Sequence, residues 1–286
     1  MNRACFSQYA NLHEQNQHAS SIRPLKSNFL RTKSICQLLF LLLLAGCSSA
    51  QPIEKDKLFQ TSTINALLAG VYDGEMSLGA LRAKGDFGIG TFHQLDGEMV
   101  LLEGIFYQIR SDGKVSRVDT SLTTPFACAT PFEIDFAFET DSAMSLAELT
   151  AFIDSRIRSL NAPYAIRITG TFASVLARSV PSQKKPYPQL TSITATQPTF
   201  RYEQISGDLV GFRLPPFVAG LNVPGYHFHF LSTDRTRGGH LLGCQIEQGT
   251  IQIDESLTLE VALLNRNDFL ELDLSGDKSE ELKKVE

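Results

Sequence analysis

Tryptophan is absent from this 286-residue sequence, and histidine, cysteine and long apolar runs are scarce. Nineteen phenylalanines supply the bulky side chains that a core needs, so a packed domain does not require the missing tryptophan. The longest apolar run lies within residues 35–46, whereas a membrane-spanning helix needs about 20 apolar residues. These scarcities exclude a protein with several membrane spans.

The sequence also has no surplus of basic residues, because 26 Lys and Arg stand against 31 Asp and Glu, a net charge of −5. Nucleic-acid binding needs clustered basic residues that contact phosphates, so we expect no nucleic-acid partner. With 43% hydrophobic and 20% charged residues, the composition is that of an ordinary globular protein.

The apolar stretch 35–46 follows two basic residues and ends in small ones. This order is typical of a secretory signal. Leu44–Cys47 (LAGC) resembles a bacterial lipobox. We therefore predict a lipoprotein signal peptide over residues 1–46, cleaved before a lipidated Cys47. An ordinary signal peptide or an uncleaved anchor remains the alternative.

Export would place the chain in the periplasm or at the outer membrane of a bacterium, touching the membrane only through its lipid. If the leader does not function, the location is cytoplasmic. Residues 47–58 are polar and suit a tether, and residues 59–286 form the predicted domain, with two β-rich subdomains, about 59–190 and 191–286, as one arrangement. Loss of residues 1–46, with five basic residues and one acid, takes the net charge from −5 to −9.

The same processing reduces the number of free cysteines. Cys5 and Cys36 leave with the signal and Cys47 takes lipid, which leaves Cys128 and Cys244. We favour two free thiols, because a chain of this length builds a core without a bridge. A disulfide outside the cytoplasm remains the alternative.

Short apolar or alternating runs separated by turns dominate the pattern. Asp73-Gly74, Asp96-Gly97 and Asp112-Gly113 are hairpin-type signals, and residues 86–120 indicate strand, turn and strand. Further strands are predicted at 165–172, 199–202, 208–214, 226–232 and 241–248, with two more within 250–264. The predicted class is α+β, predominantly β, with mixed or antiparallel sheets and a few helices.

Two helices stand out. Residues 62–70 begin with Ser and Thr and end in Gly, as capped helices do. Ser145 followed by Glu148 matches a capping box. An apolar stripe at helical spacing follows, and residues 161–163 end it. The stripe consists of Leu146, Leu149, Phe152, Ile153, Ile157 and Leu160.

The residues with the clearest chemistry are His227, His229 and His240. Side chains alternate faces along a strand, so His227 and His229 point the same way and can bind one metal ion. Gly238-Gly239 lets the chain bend back so that His240 adds a third imidazole. Three His ligands with open positions are typical of catalytic zinc on a pair of strands. A solvated or hydrogen-bonded pair of histidines is the alternative.

The segments around these histidines, Gly225–Phe230 (GYHFHF) and Gly238–His240 (GGH), resemble the α-acetolactate decarboxylase family. The resemblance continues in order over residues 60–270. Its other motifs are Val71–Glu75 (VYDGE), Lys84–Phe92 (KGDFGIGTF), Leu95–Glu98 (LDGE), Gly104–Tyr107 (GIFY), Arg110–Gly113 (RSDG), Ala165–Arg167 (AIR), Lys185–Tyr187 (KPY), Thr196–Pro198 (TQP) and Val210–Phe212 (VGF).

The resemblance implies that 2-acetolactate loses CO2 to give (R)-acetoin, in acetoin or butanediol formation. The ketone and hydroxyl oxygens of such a substrate can chelate Zn2+, which acts as a Lewis acid on the enediolate left by decarboxylation. The substrate's own ketone is the electron sink, so no organic cofactor is implied. The resemblance also implies a homodimer.

Four more residues enter through the resemblance. Arg178 would orient the substrate carboxylate with paired hydrogen bonds, and Glu98 would protonate the enediolate. Thr91 would line the same pocket. The family brings a glutamate of its C-terminal tail to the metal, for which we choose Glu286. Glu280 and Glu281 are the alternatives. Another three-His zinc enzyme, such as a hydrolase, and a non-catalytic zinc-binding lipoprotein remain alternative functions.

Overall fold

Strands outnumber helices in residues 56–286, as the short alternating runs predict. The computed structural model describes residues 56–286, and the predicted signal peptide, Cys47 and most of the predicted tether lie outside them. The strands are β1 Lys57–Thr61, β2 Met76–Ser77, β3 Phe87–Thr91, β4 Glu98–Leu102, β5 Ile105–Ile109, β6 Val115–Arg117, β7 Thr123–Thr124, β8 Ala127–Thr130, β9 Phe136–Thr140, β10 Met144–Ser145, β11 Tyr164–Arg178, β12 Thr199–Leu214, β13 Gly225–Ser232, β14 Gly238–Glu255 and β15 Thr258–Ala262. The helices are α1 Ile64–Leu68, α2 Leu78–Arg82, α3 Leu146–Asp154, α4 Leu190–Thr194, α5 Asn267–Leu270 and α6 Ser279–Leu282, with single 3-10 turns at His93–Leu95 and Pro216–Val218.

The first sheet has the strand order β15-β1-β8-β3-β4-β5-β6. Strand β15 lies parallel to β1, whereas the other neighbours are antiparallel. The strand-turn-strand pattern predicted for residues 86–120 is confirmed, because β3, β4, β5 and β6 follow one another as neighbours in this sheet. The short strands β2 and β7 pair separately.

The second sheet has the order β10-β14-β11-β12-β13, and β9 also pairs with β14. Strands β11 and β12 pair from Tyr164 opposite Arg213 to Arg178 opposite Thr199. Strand β13 pairs with β12 along one edge and with the start of β14 along the other. The end of β11, the middle of β13 and the start of β14 therefore lie side by side.

A shared core joins the two sheets. One buried cluster contains side chains of both, and each fully buried large apolar side chain contributes roughly 1.5–3 kcal/mol. The first sheet contributes Phe87, Ile89, Val100, Leu102, Tyr107 and Ile109, and the second contributes Ala165, Val210, Phe212, Leu214 and Leu231. The predicted α+β class, predominantly β with mixed or antiparallel sheets, is confirmed.

The capped helices also form. Thr63 caps α1 through its side chain, and Ser145 and Glu148 make the full capping box of α3. The predicted extent of α3 is wrong, because the helix ends at Asp154. The Ser155 hydroxyl bonds the Phe152 carbonyl at 2.7 Å, which offers that carbonyl a partner outside the helix ladder.

Other details differ from the sequence predictions. Leu160, beyond the end of α3, is 50% exposed and not part of a core stripe. The two strands predicted at 199–202 and 208–214 are one strand, β12. Asp73-Gly74 joins no hairpin, since β1 is followed by α1 and not by a paired strand.

The strands before and after residue 190, β11 and β12, are neighbours in one sheet, and the chain changes sheets between β8 and β9. The domain bounds given above stay a prediction. Cys128 and Cys244 are free thiols, the first buried and the second half-buried. Within residues 56–286, no helix has the length and apolar character needed to cross a bilayer.

Candidate metal centre and catalytic cavity

The three histidines lie together where β13 meets β14. His227 and His229 alternate with phenylalanines on β13, and His229 lies directly opposite His240 on β14. One ring nitrogen from each comes within 4.8 Å of those from the other two. His229 and His240 are 1% and 5% exposed, so the imidazoles face an enclosed space and not solvent.

The ring nitrogens of these histidines are partly fixed by their neighbours. His229 Nδ1 donates to the Met99 carbonyl at 2.8 Å, which leaves Nε2 free to bind a metal. Metal-binding histidines usually have their second nitrogen held in this way. His227 Nε2 and His240 Nδ1 are 3.2 Å apart and face one another.

Burial keeps these rings neutral. It lowers the pKa of His229 to about 4, against the opposing hydrogen bond to Met99. Burial holds the pKa of His227 and of His240 well below the usual value, and the neighbouring Arg178 charge adds to this. An imidazole must be neutral to bind a metal, so the three donors fit a divalent ion such as Zn2+.

Glu98 begins β4 and lies beside the histidines. Its Oε2 is 3.6 Å from His229 Nε2, and the residue is 8% exposed. Burial raises the pKa of Glu98 to about 7, although Arg178 and a hydrogen bond from the Val180 backbone act against the shift. The preceding Gly97 has φ +88°, and a Cβ there would lie 2.3 Å from the Ile109 carbonyl oxygen, so only glycine fits this turn.

Arg178 ends β11, opposite His240 on β14, and is 6% exposed. Its Nη2 donates to the Val285 carbonyl, and its Nε has no hydrogen-bond partner among the described residues. Burial lowers the pKa of Arg178, whereas the carboxyl groups of Glu98 and Glu286 oppose that shift. An arginine pKa starts so high that the group stays charged, so it is a buried cation with donor capacity left for an anion.

The C-terminal residues Val285 and Glu286 complete the site. Val285 is fully buried in an apolar cluster with α1 and α4. Glu286 Oε2 is 3.9 Å from His227 Nε2 and 3.7 Å from His240 Nε2. Burial raises the pKa of Glu286 to about 8, with Arg178 opposing and Glu98 adding to the shift.

The two alternative tail glutamates lie elsewhere. Glu280 pairs with Lys283 and Glu281 pairs with Lys278, each within the last turns of the chain. Of the three tail glutamates considered from the sequence, the structure brings Glu286 to the histidines.

A small cavity of about 50 Å³ connects these groups. Thr91, at the end of β3, lines it, but its hydroxyl is already engaged by the Gly97 carbonyl at 2.8 Å. Thr194 adds a second hydroxyl from α4. The remaining wall is apolar and consists of Ile64, Leu67, Leu95, Phe126, Val180, Leu190 and Val285.

Sequence patterns missed this apolar wall, because its members come from distant segments and are indistinguishable from core residues before the chain folds. They also missed the two backbone carbonyls, of Met99 and Val285, that hold His229 and Arg178. Only the register between strands and the course of the tail reveal them. Cys47, the predicted lipidation site, lies outside the described residues.

Comparison with known families gives one match over most of the chain. The profile of the family described as alpha-acetolactate decarboxylase matches residues 58–276. A relative from Methanosarcina mazei with that name is 46% identical over 231 residues, which cover 81% of this chain and 80% of the relative. Another, from Brevibacillus brevis, is 41% identical over 227 residues, covering 79% and 80%.

Solved structures agree with the sequence comparison. The crystal structure of alpha-acetolactate decarboxylase from Bacillus subtilis strain 168 superposes with a TM-score of 0.79 at 37% identity, covering 80% of this chain and 99% of that one. A Staphylococcus aureus protein of unknown function, described as similar to alpha-acetolactate decarboxylase, superposes with a TM-score of 0.77 at 28% identity. It covers 80% of this chain and 100% of that chain.

Proposed function

This chain belongs to the alpha-acetolactate decarboxylase family, and from that membership we propose that it converts 2-acetolactate into (R)-acetoin and CO2 at the three-histidine site. The family makes it a carboxy-lyase with acetolactate decarboxylase activity. The reaction breaks the bond between the carboxylate and the tertiary carbon, leaves the bonding electrons on the substrate, and adds one proton to that carbon.

The observation that carries the proposal is the convergence of five polar side chains on one buried cavity. His227, His229 and His240 offer nitrogen donors, Arg178 offers a cation and Glu98 offers a carboxyl group. A protein that only stored metal would need neither the arginine nor this carboxyl group beside the donors. The arrangement therefore favours chemistry on a bound anion.

We propose zinc as the metal, held by His227, His229 and His240. The donor set supports this choice, because neutral imidazoles suit zinc and the cavity side of the site is open to a small molecule. When bound there, zinc supplies Lewis-acid stabilisation of the negative charge that develops on the substrate's ketone oxygen. Glu286 lies within 4 Å of two of the donor nitrogens and would complete the surroundings of the ion.

Arg178 would bind and orient the carboxylate that is lost. Its guanidinium is buried at the cavity wall, and its Nε lacks a partner among the described residues. Arginine donates paired hydrogen bonds to a carboxylate, so it fixes the direction of the breaking bond. Departure of CO2 then removes the anion that Arg178 held.

Glu98 would deliver the proton to carbon. Its carboxyl group lies 3.6 Å from His229 Nε2, so it faces the same space as the metal donors. A proton delivered by one fixed group reaches one face of the planar intermediate, which gives a single enantiomer of acetoin. Thr91 and the apolar wall would hold the methyl groups of the substrate and keep water away from the carbon that receives the proton.

We also propose that the chain is exported and anchored through a lipid on Cys47, and that it acts as a homodimer. The leader pattern supports the first part, and the family resemblance supports the second. The anchor is tested by growing cells with a palmitate analogue and comparing the lipid label on the full chain with that on Cys47→Ala.

The dimer is tested by measuring the molecular mass of the purified chain by sedimentation.

The function is tested by adding purified protein to racemic 2-acetolactate and following acetoin on a chiral column, with metal analysis of the same sample. We expect (R)-acetoin to form, activity to vanish with a chelator, and zinc to restore it. A rate no higher than spontaneous decarboxylation in the zinc-loaded protein would refute the proposal. Hydrolysis of an ester in place of decarboxylation would favour the alternative zinc hydrolase.

A further inference from the structure

Asp73 is a buried carboxylate that the proposed reaction does not use. It lies between α1 and β2 and is 7% exposed. The Tyr187 hydroxyl donates to its Oδ1 at 2.6 Å, and Oδ2 accepts from Lys185 Nζ at 2.5 Å and Arg266 Nη2 at 2.8 Å. Burial alone would raise the pKa of Asp73, but the hydrogen bonds from Lys185 and Tyr187 and the nearby cations outweigh it and lower the pKa.

Two of the side chains that contact Asp73 belong to a segment that leads to the cavity through α4. Tyr187 and Lys185 lie in the loop before α4, and the Tyr72 hydroxyl also holds this loop by donating to the Pro188 carbonyl at 2.9 Å. Leu190 opens α4 and Thr194 ends it, and both line the catalytic cavity. Asp73 thus fixes the point from which this wall of the cavity starts.

The third side chain, that of Arg266, belongs to the tail, residues 266–286, which also leads to the cavity. Arg266 starts the tail, and Phe269 of α5 packs in a small apolar cluster with Val71. The tail ends at Val285 and Glu286, which lie in the catalytic cavity. Apart from Asp73, Arg266 pairs only with Asp268 of its own segment among the described ion pairs.

We propose that Asp73 is a positioning residue that joins the tail and the loop before α4, and so holds two walls of the catalytic cavity together. The catalytic part of this inference rests on the function proposed above. Removal of the Asp73 charge would leave Lys185 and Arg266 as neighbouring cations without their shared partner, and each segment would lose its charge-assisted hydrogen bond to Asp73. The two segments would then separate more often.

The test compares Asp73→Asn with wild type by two readouts. The first is kcat and KM for acetolactate, together with zinc content. The second needs no activity: limited trypsin digestion after Lys283 and Lys284, followed by mass spectrometry, measures how often the tail leaves its site. We expect about fivefold to tenfold faster tail cleavage and a similar fall in kcat/KM, with zinc content unchanged.

Glu260→Gln is the matched control, since Glu260 is also a carboxylate that accepts from two lysines, Lys57 and Lys84, but lies away from the cavity lining. We expect it to leave tail cleavage and kcat/KM at the wild-type values. Arg266→Gln breaks the same contact from its more exposed side, so it serves if Asp73→Asn does not fold. When both single variants fold, the double variant should be no worse than the poorer of the two.

Wild-type tail cleavage in Asp73→Asn, or fully additive effects of Asp73→Asn and Arg266→Gln, would overturn the inference. Faster cleavage at every trypsin site alike would also overturn it, because that result indicates general destabilisation. If the wild-type protein had no decarboxylase activity, the proposed function would fail, while tail cleavage would still decide whether Asp73 holds the tail.

Discussion

Two parts of the catalytic cavity are built by different means. The sheet part consists of Glu98, Arg178 and the three histidines, which all lie on strands of the two sheets. The tail part consists of Val285 and Glu286, which follow the four-residue helix α6. Both parts are buried and face the same space, but only the first is fixed by backbone pairing.

The difference lies in what resists displacement. Moving His229 would break the register of β13 with both β12 and β14. Moving Glu286 breaks no strand pairing, although Val285 must leave its apolar cluster and Arg178 must release the Val285 carbonyl. We therefore expect the sheet part to set metal binding and the tail part to set how the cavity opens and closes, as end segments open at low free energy.

The largest effect is expected from His229→Ala. It removes one of three donors and the group that faces Glu98, so zinc affinity should fall at least about 100-fold and acetoin formation should drop to the spontaneous rate. Metal content by mass spectrometry and the acetoin assay measure this. His93→Ala is the matched control, because His93 is exposed and its Nδ1 accepts a hydrogen bond from the Gly74 backbone, away from the cavity lining. Full zinc binding by His229→Ala would contradict the assignment.

Arg178 belongs to the sheet part but contacts the tail, so its variants probe where the two meet. Arg178→Ala should keep zinc and lose about 10²–10³-fold in kcat/KM, since the substrate carboxylate loses its oriented partner. Arg201→Ala, on the neighbouring strand and 64% exposed, should behave as wild type. Equal activity of Arg178→Ala and wild type would remove Arg178 from the mechanism.

The two carboxyl groups allow a direct comparison of the parts. Glu98→Gln should lower kcat about 10²-fold or more, because an amide cannot deliver the proton. Glu286→Gln should lower it by only about tenfold, because an amide keeps the shape of the tail and retains an oxygen. Steady-state kinetics with zinc content measured in each sample compares them. A larger loss in Glu286→Gln would reverse the assigned roles.

The sequence predicted the sheet part better than the tail part, for physical reasons. Alternation along a strand places His227 and His229 on one face, and the glycines before His240 indicate the return of the chain. No local pattern identifies Arg178, because its place depends on the pairing of β11 with β14. The family resemblance supplied Arg178 and Glu98.

The tail carries still less information in its sequence. Glu280, Glu281 and Glu286 are chemically equal in a short acidic segment, and only the burial of Val285 distinguishes the last of them. The length of α3 was overestimated for a related reason, since the apolar spacing continues past Asp154 although the backbone turns there. At Asp73 the sequence indicates only a turn. It does not indicate that side chains from distant segments contact the Asp73 carboxylate.

The smallest effect, and the sharpest comparison, is expected from two matched valines. Val285→Ala removes about two methylene equivalents from the tail's contact, worth roughly 1.5 kcal/mol, so the tail leaves more often and kcat/KM falls about fivefold to tenfold while Tm stays constant. Val175→Ala, fully buried on β11, should lower Tm by roughly 3–6 °C and leave kcat/KM unchanged. Calorimetry and kinetics on both variants measure the contrast. If Val285→Ala lowered Tm as much as Val175→Ala, the tail would unfold together with the sheets. The sheet part and the tail part of the cavity would then be a single cooperative unit.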